Sequence, residues 1–115
     1  MLEDMLKNIT TIYIAYGITD FRKQIIGLTS TVKNNFGKDP YNGSVYIFCN
    51  RKKDSIKILC YDKNGFVLAQ KTLIEQQKFQ WSRNSNELKN ITKQQLKWLF
   101  EGLNIEQKRS FKDIC

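Results

Sequence analysis

The chain contains no histidine, a single proline, and only four arginines beside fifteen lysines in 115 residues. Without histidine there is no catalytic triad, no imidazole general base and no His-dependent zinc site. The three cysteines, Cys49, Cys60 and Cys115, are odd in number and form no C-x-x-C pair. That excludes a disulfide framework and suits a reducing cytoplasm. Cys49 and Cys60 sit inside apolar runs and read as small core hydrophobes. No stretch approaches the roughly 18–20 apolar residues of a membrane span. The first ten residues carry Glu3 and Asp4 and lack the apolar centre of a secretory signal. There is no G-x-x-x-x-G-K-[ST], no G-x-G-x-x-G and no H-E-x-x-H. A cytoplasmic protein without membrane contact, metal or cofactor is the expectation.

What is present is ordinary for a globular domain, with 41% hydrophobic and 26% charged residues. The length fits one domain able to bury a core unaided. The exception is charge. Lys and Arg total 19 against 11 Asp and Glu, a net of +8, which points to a polyanionic partner, most simply nucleic acid.

Thr10 to Tyr16 is rich in β-branched and aromatic residues and reads as a strand ending at Gly17. Thr19 or Asp20 offers an N-cap for a helix whose apolar face is Phe21, Ile25, Leu28, Val32 and Phe36, with Gly37 placed to end it. Asp39-Pro40-Tyr41-Asn42-Gly43 is a turn cluster. Ser44 to Cys49 and Ser55 to Tyr61 read as two strands joined by a hairpin loop, Asn50 to Asp54. Asn64-Gly65 signals a second, two-residue hairpin, with Phe66 to Ile74 as its return strand. A further short strand is expected around Phe79-Gln80-Trp81, and the polar run 82–90 reads as loop, with a short edge strand as the alternative. Thr92 and Gln95 have capping-box spacing before a helical face of Leu96, Leu99, Phe100 and Leu103. The order predicts an α+β domain, a mostly antiparallel sheet with two main helices packed on one face. It spans 10–104, between a lead of 1–9 and a charged tail of 105–115.

Residues 1–50 carry a net +1 and residues 51–115 a net +7. The concentration begins at the hairpin loop with Arg51, Lys52 and Lys53, continues through Lys57 and Lys71 on the strands, and reaches Arg83 beside Phe79 and Trp81. Two readings of these cations stand side by side. They grip a phosphate backbone, or they decorate a sheet surface and blunt its edges. Arg pairs phosphate bidentately, which puts Arg22 and Arg51 first among the contacts. Arg22 and Lys23 fall in the first helical turn of this reading, where cations oppose the macrodipole and suggest an anion nearby. Phe79 and Trp81 alternate with polar residues, and Trp81 reads as a core anchor more readily than as a stacking platform.

Catalytic material is thin. Asp20 looks like a cap, Asp39, Asp54 and Asp62 look like turn residues, and no carboxylate spacing compels a shared metal site. A metal-free ribonuclease toxin working with Lys, Arg and Tyr remains a rival reading, as does a pure protein–protein adaptor.

In order along the chain stand Gly17-Ile18-Thr19-Asp20-Phe21-Arg22-Lys23, Gly27-Leu28, Asp39-Pro40 with Gly43, Phe48-Cys49-Asn50-Arg51, Lys57-Ile58-Leu59, Asp62 with Gly65, Lys71 with Leu73, Phe79 with Trp81, and Gln95-Leu96 with Leu99 and Gly102. Together, from about Thr10 to Leu103, they resemble the Orf2-like (TnpB) accessory proteins of the bacterial insertion-sequence sixty-six family. The chain departs from that pattern at Phe21 for Met, Gln24 for Gly, Cys60-Tyr61 for a Trp-aromatic pair, Ser82 for Pro, and Thr72 for Arg, which removes one phosphate contact. The resemblance implies a non-catalytic helper in DNA transposition. Its partners would be DNA, the separately encoded transposase, or both.

Overall fold

The run Val45 to Cys49 is apolar at every position, without the alternation of a strand that has one wet face. All five residues are buried, so the sheet they belong to must be covered on both sides. In the computed structural model, which describes residues 11–82 and 87–106, this run is β2 at the centre of a five-stranded sheet. The strands are β1 (Ile12–Ala15), β2 (Val45–Cys49), β3 (Ser55–Asp62), β4 (Gly65–Thr72) and β5 (Leu88–Ile91), in the order β4-β3-β2-β1-β5. Helix α1 (Ile25–Phe36) crosses from β1 to β2, which pair in parallel, and every other pairing is antiparallel. Helix α2 (Lys93–Phe100) follows β5. The α+β class and the mostly antiparallel sheet are as expected.

The helices, however, take opposite faces rather than one. Leu28 and Val32 of α1 pack with Ala15, Tyr46, Phe48 and Leu59. Leu96, Leu99 and Phe100 of α2 pack with Ile12, Ile14, Val45, Ile47, Ile56 and Ile58. The alternation along β1, β2 and β3 divides these two sets cleanly, because successive side chains point to opposite faces. A parallel β1–α1–β2 crossover fills only one face. The second face is filled by α2, by Phe79 and Trp81, and by Ile105.

Three local expectations shift. The helix begins at Ile25, with Gln24 as an N-cap that makes no side-chain hydrogen bond. The Asp20 carboxylate instead accepts from the Arg22 N–H at 2.9 Å, and the Lys23 N–H donates to the Asp20 carbonyl, so Asp20 closes a turn and leaves Arg22 and Lys23 ahead of the helix. Phe21 still packs on the α1 side of the sheet. Gly37 ends α1 in the left-handed region at φ 64°, as expected. The second hairpin turns through Lys63-Asn64, not Asn64-Gly65: Asp62 pairs with Gly65 and Lys63 takes φ 53°. That puts the positive φ at the first loop position, as in a type II′ turn.

The third shift is at Phe79-Gln80-Trp81, which forms no strand. It is an extended bridge under the α2 face. The Phe79 N–H donates to the Lys53 carbonyl at 2.7 Å, and the Trp81 indole N–H donates to the Gly17 carbonyl at 2.9 Å. Both rings are buried, which settles Trp81 as a core anchor. The Thr92–Gln95 capping box forms as read. Leu103 lies past the helix and is 45% exposed, whereas Ile105, first residue of the expected tail, is 5% exposed.

Replacing Trp81 with Phe keeps an aromatic ring but leaves the buried Gly17 carbonyl without its donor. A loss of about 1–3 kcal/mol is expected, read as a lower urea midpoint at unchanged m-value.

Candidate nucleic-acid interface

Lys57 organises the region where the motif pieces meet. It lies on β3 opposite Phe48 and is only 3% exposed. Its ammonium donates to the Phe21 and Lys23 carbonyls, each at 2.9 Å, and stands 4.9 Å from the centre of the Phe21 ring. A buried ammonium is costly unless it is hydrogen-bonded, and these two carbonyls meet that need. Lys57, expected at the interface, is therefore a tie holding the Phe21–Lys23 turn to the sheet, and its charge is not offered to solvent.

Other expected contacts are also engaged within the fold. The Lys23 stem lies across Gly27, where an added Cβ would come within 3.0 Å of the Lys23 Cβ, and its ammonium donates to Thr31 Oγ1 at 3.0 Å. The Lys71 ammonium donates to the Phe100 carbonyl at 2.7 Å and stands over the Phe100 ring. It thus satisfies the negative end of α2. Thr72, where the family has Arg, hydrogen-bonds Ser55 across the β3–β4 pair at 2.7 Å. Lys53 is half-buried at φ 61°. Arg83 lies outside the described residues.

Arg22, Arg51 and Lys52 remain, and they line one groove of about 780 Å³. One wall is Ile18 to Arg22; the other is Asn50 to Lys52 with Asp54 and Ser55. The Thr19 N–H donates to the Cys49 carbonyl at 2.9 Å, which fastens the walls together at the end of β2. The Asn50 side chain shapes the hairpin loop, donating to Asp54 at 2.7 Å and accepting from the Ser55 N–H. That amide holds the Asp54 carboxyl below its ordinary range. Arg51 and Lys52 are exposed, and their side chains make no hydrogen bond or ion pair among the described residues. Arg22 is 91% exposed but clasped by Asp20, with Nη2 at 2.6 Å and Nε at about 3 Å from the carboxylate. The Arg22 side-chain hydrogen bonds, then its backbone N–H, hold the Asp20 carboxyl down at about 2.

The motif residues away from the groove are structural. Asp39 accepts from the Tyr41 N–H and its carbonyl accepts from the Tyr46 hydroxyl. Pro40 is buried, and Gly43 takes φ 83°. Gly17, at φ 94°, joins the Trp81 bridge, and Asp62 and Gly65 close the second hairpin. One feature escaped the sequence reading: Tyr41, Tyr61 and Phe66 form a ring cluster with centroids 5.1–5.2 Å apart. The facing positions of Tyr61 and Phe66, either side of the hairpin turn, were its available signal. Among the described residues, no three of His, Cys, Asp and Glu gather where they could hold a metal, and no helix is long and apolar enough to cross a membrane.

Lys57→Met removes the ammonium that donates to both carbonyls and is expected to lower stability by about 1–3 kcal/mol, with faster amide exchange concentrated in the Phe21–Lys23 turn. The Asp20 carboxyl, followed by NMR, is expected to titrate near 2, and Arg22→Ala should return its midpoint towards the ordinary 3.8. Because the folded value is depressed, the stability this clasp contributes is complete above the ordinary pKa and disappears as pH falls towards 2.

The family described as IS66 Orf2 like protein matches residues 10–110. A curated relative, "Uncharacterized protein y4jC" of Sinorhizobium fredii (strain NBRC 101917 / NGR234), is 31% identical over 62 residues, 54% of this chain and 53% of that protein. The chain thus spans about half the length of the curated relative it matches. No solved structure matches. The family match takes in both walls of the groove, the Lys57 tie and the Trp81 bridge: the chain belongs to the IS66 Orf2-like family, a family of insertion-sequence transposition accessory proteins.

Proposed function

We propose that this chain assists transposition of its element by holding DNA through the phosphate backbone at the Arg22–Arg51–Lys52 groove, leaving strand chemistry to a separately encoded transposase. The observation that carries this is the exposure of Arg51 and Lys52, whose side chains make no hydrogen bond or ion pair among the described residues, in one groove with a third cation. A lysine engaged inside the fold neutralises no phosphate and so frees none of the counterions condensed on DNA; an exposed, unengaged cation can. Arg22 exchanges its Asp20 carboxylate for a phosphate of the same fork geometry. The groove's two acids, Asp20 and Asp54, leave it a net of one positive charge, which suits weak contact without sequence preference. Membership in a transposition accessory family supports the same reading.

Fluorescence anisotropy on duplex DNA across a salt series tests it. Log affinity should fall linearly with log salt. Arg51→Ala with Lys52→Ala should flatten the slope by about two, near 0.9 for each phosphate no longer neutralised. An unchanged slope, or no binding at low salt, would discard the phosphate contact and leave a protein adaptor, to be tested by co-purification with the transposase.

A further inference from the structure

The groove does not end at Arg22. Arg22 also lines a second, mostly apolar notch with Lys23, Ile25, Ile26, Gly27 and Leu68. Leu68 lies on β4, an edge strand of the sheet, and its side chain faces the α1 side. Two residues along the same strand and face stands Phe66, a member of the Tyr41–Tyr61–Phe66 cluster. The three features therefore lie in line along one side of the sheet: cations at the β2–β3 loop, an apolar stretch beside β4, and aromatic rings at the β3–β4 turn. The eight residues of β3 separate the two ends, about 25 Å at the ordinary strand rise.

The two ends differ in chemistry in a way that selects an occupant. Tyr61 and Phe66 are half-buried and steady each other edge to face. Tyr41 packs on both and yet remains 61% exposed, so it presents a ring held by its neighbours. Its backbone is fixed by the Asp39 side chain. Lys63 sits exposed in the adjoining turn. A supported, exposed ring at one end and, at the other, the exposed cations Arg51 and Lys52, unpaired among the described residues, match the two recognition elements of single-stranded nucleic acid, stacked bases and a tracked backbone. Duplex DNA offers its phosphates to the cations, but its bases are already stacked and are not available to Tyr41.

We infer that the track from Arg51 through Arg22 and Leu68 to Tyr41 binds single-stranded DNA, with phosphate at the loop end and a base stacked on Tyr41. This rests on the phosphate reading of the groove and adds strand preference to it. Sites of about 4–16 nucleotides are usual for single-strand binding domains, and a track of this length falls at the short end.

The test uses the full chain, a labelled oligothymidylate of about 12 nucleotides, and a duplex of equal length. Wild-type protein is expected to bind the single strand more tightly. Tyr41→Ala and Tyr41→Leu should each weaken single-strand binding about fivefold or more and leave duplex binding unchanged, while Tyr41→Phe keeps wild-type affinity. Tyr41→Leu retains apolar packing on Tyr61 and Phe66, so its effect reports removal of the ring rather than failure to fold. Arg51→Ala should weaken both substrates. Equal binding of single strand and duplex, with Tyr41→Ala changing neither and Arg51→Ala weakening both, overturns the track and spares the phosphate reading. If Arg51→Ala changes neither, both fail. If an acidic, valine-rich peptide protects the β4 amides from exchange and oligothymidylate does not, the track belongs to a protein partner and the inference falls.

Discussion

A single buried ammonium underlies the arrangement of the exposed charges. Lys57 rises from the middle of the sheet and takes hold of two carbonyls in the turn that leads from β1 into α1. The Thr19 N–H bond to Cys49 and the packing of Phe21 on the α1 side of the sheet add to that hold in placing the Phe21–Lys23 turn beside the β2–β3 loop. The groove is a product of these attachments together. Its cations are thus set by a lysine that never meets solvent, through backbone geometry and not through direct charge pairing.

Among the described residues, the cations of the sheet and the groove divide into two physical populations. Lys57, Lys71 and Lys78 donate to backbone carbonyls of distant segments, and Lys23 reaches along α1 to Thr31. Each long stem covers apolar surface while its head satisfies an acceptor. Arg51 and Lys52 have no such acceptor among the described residues, and the exposed fork of Arg22 is held by a carboxylate. A net charge of +8 therefore overstates what a polyanion would meet. The relevant quantity is how many cations remain unsatisfied on one surface, and in the groove that is two, with a third held in reserve by Asp20.

Much of the fold is legible because local chemistry and tertiary structure agree. Gly37 ends α1 since only a left-handed residue accommodates that chain reversal, and Thr92 with Gln95 caps α2 through neighbours three residues apart. Where the reading shifts, a local group has a competing partner. Asp20 has a cap's identity, but its carboxylate closes a turn and clasps Arg22. Phe79 and Trp81 have a strand's alternation, but Trp81 reaches Gly17, sixty-four residues away, and the segment bridges rather than pairs. The helices divide between faces because β2 is apolar on both sides. That feature was visible in its unbroken run and outweighs the helix-on-one-face arrangement drawn from element order.

The sequence by itself determined the family, the α+β class, the Gly37 stop of α1, the Thr92–Gln95 cap of α2, and the absence of histidine chemistry. These follow from residue identity and from spacings of a few positions, which act whatever the rest of the chain does. Which lysines remain available to a partner was decided only by the tertiary structure. A lysine's sequence neighbours do not reveal whether its ammonium will find a carbonyl from a segment twenty-nine or thirty-four residues away, as Lys71 and Lys57 do. Burial and hydrogen bonding at long range made that division. They also brought Tyr41, from the loop after α1, onto the Tyr61–Phe66 pair of a hairpin formed later in the chain.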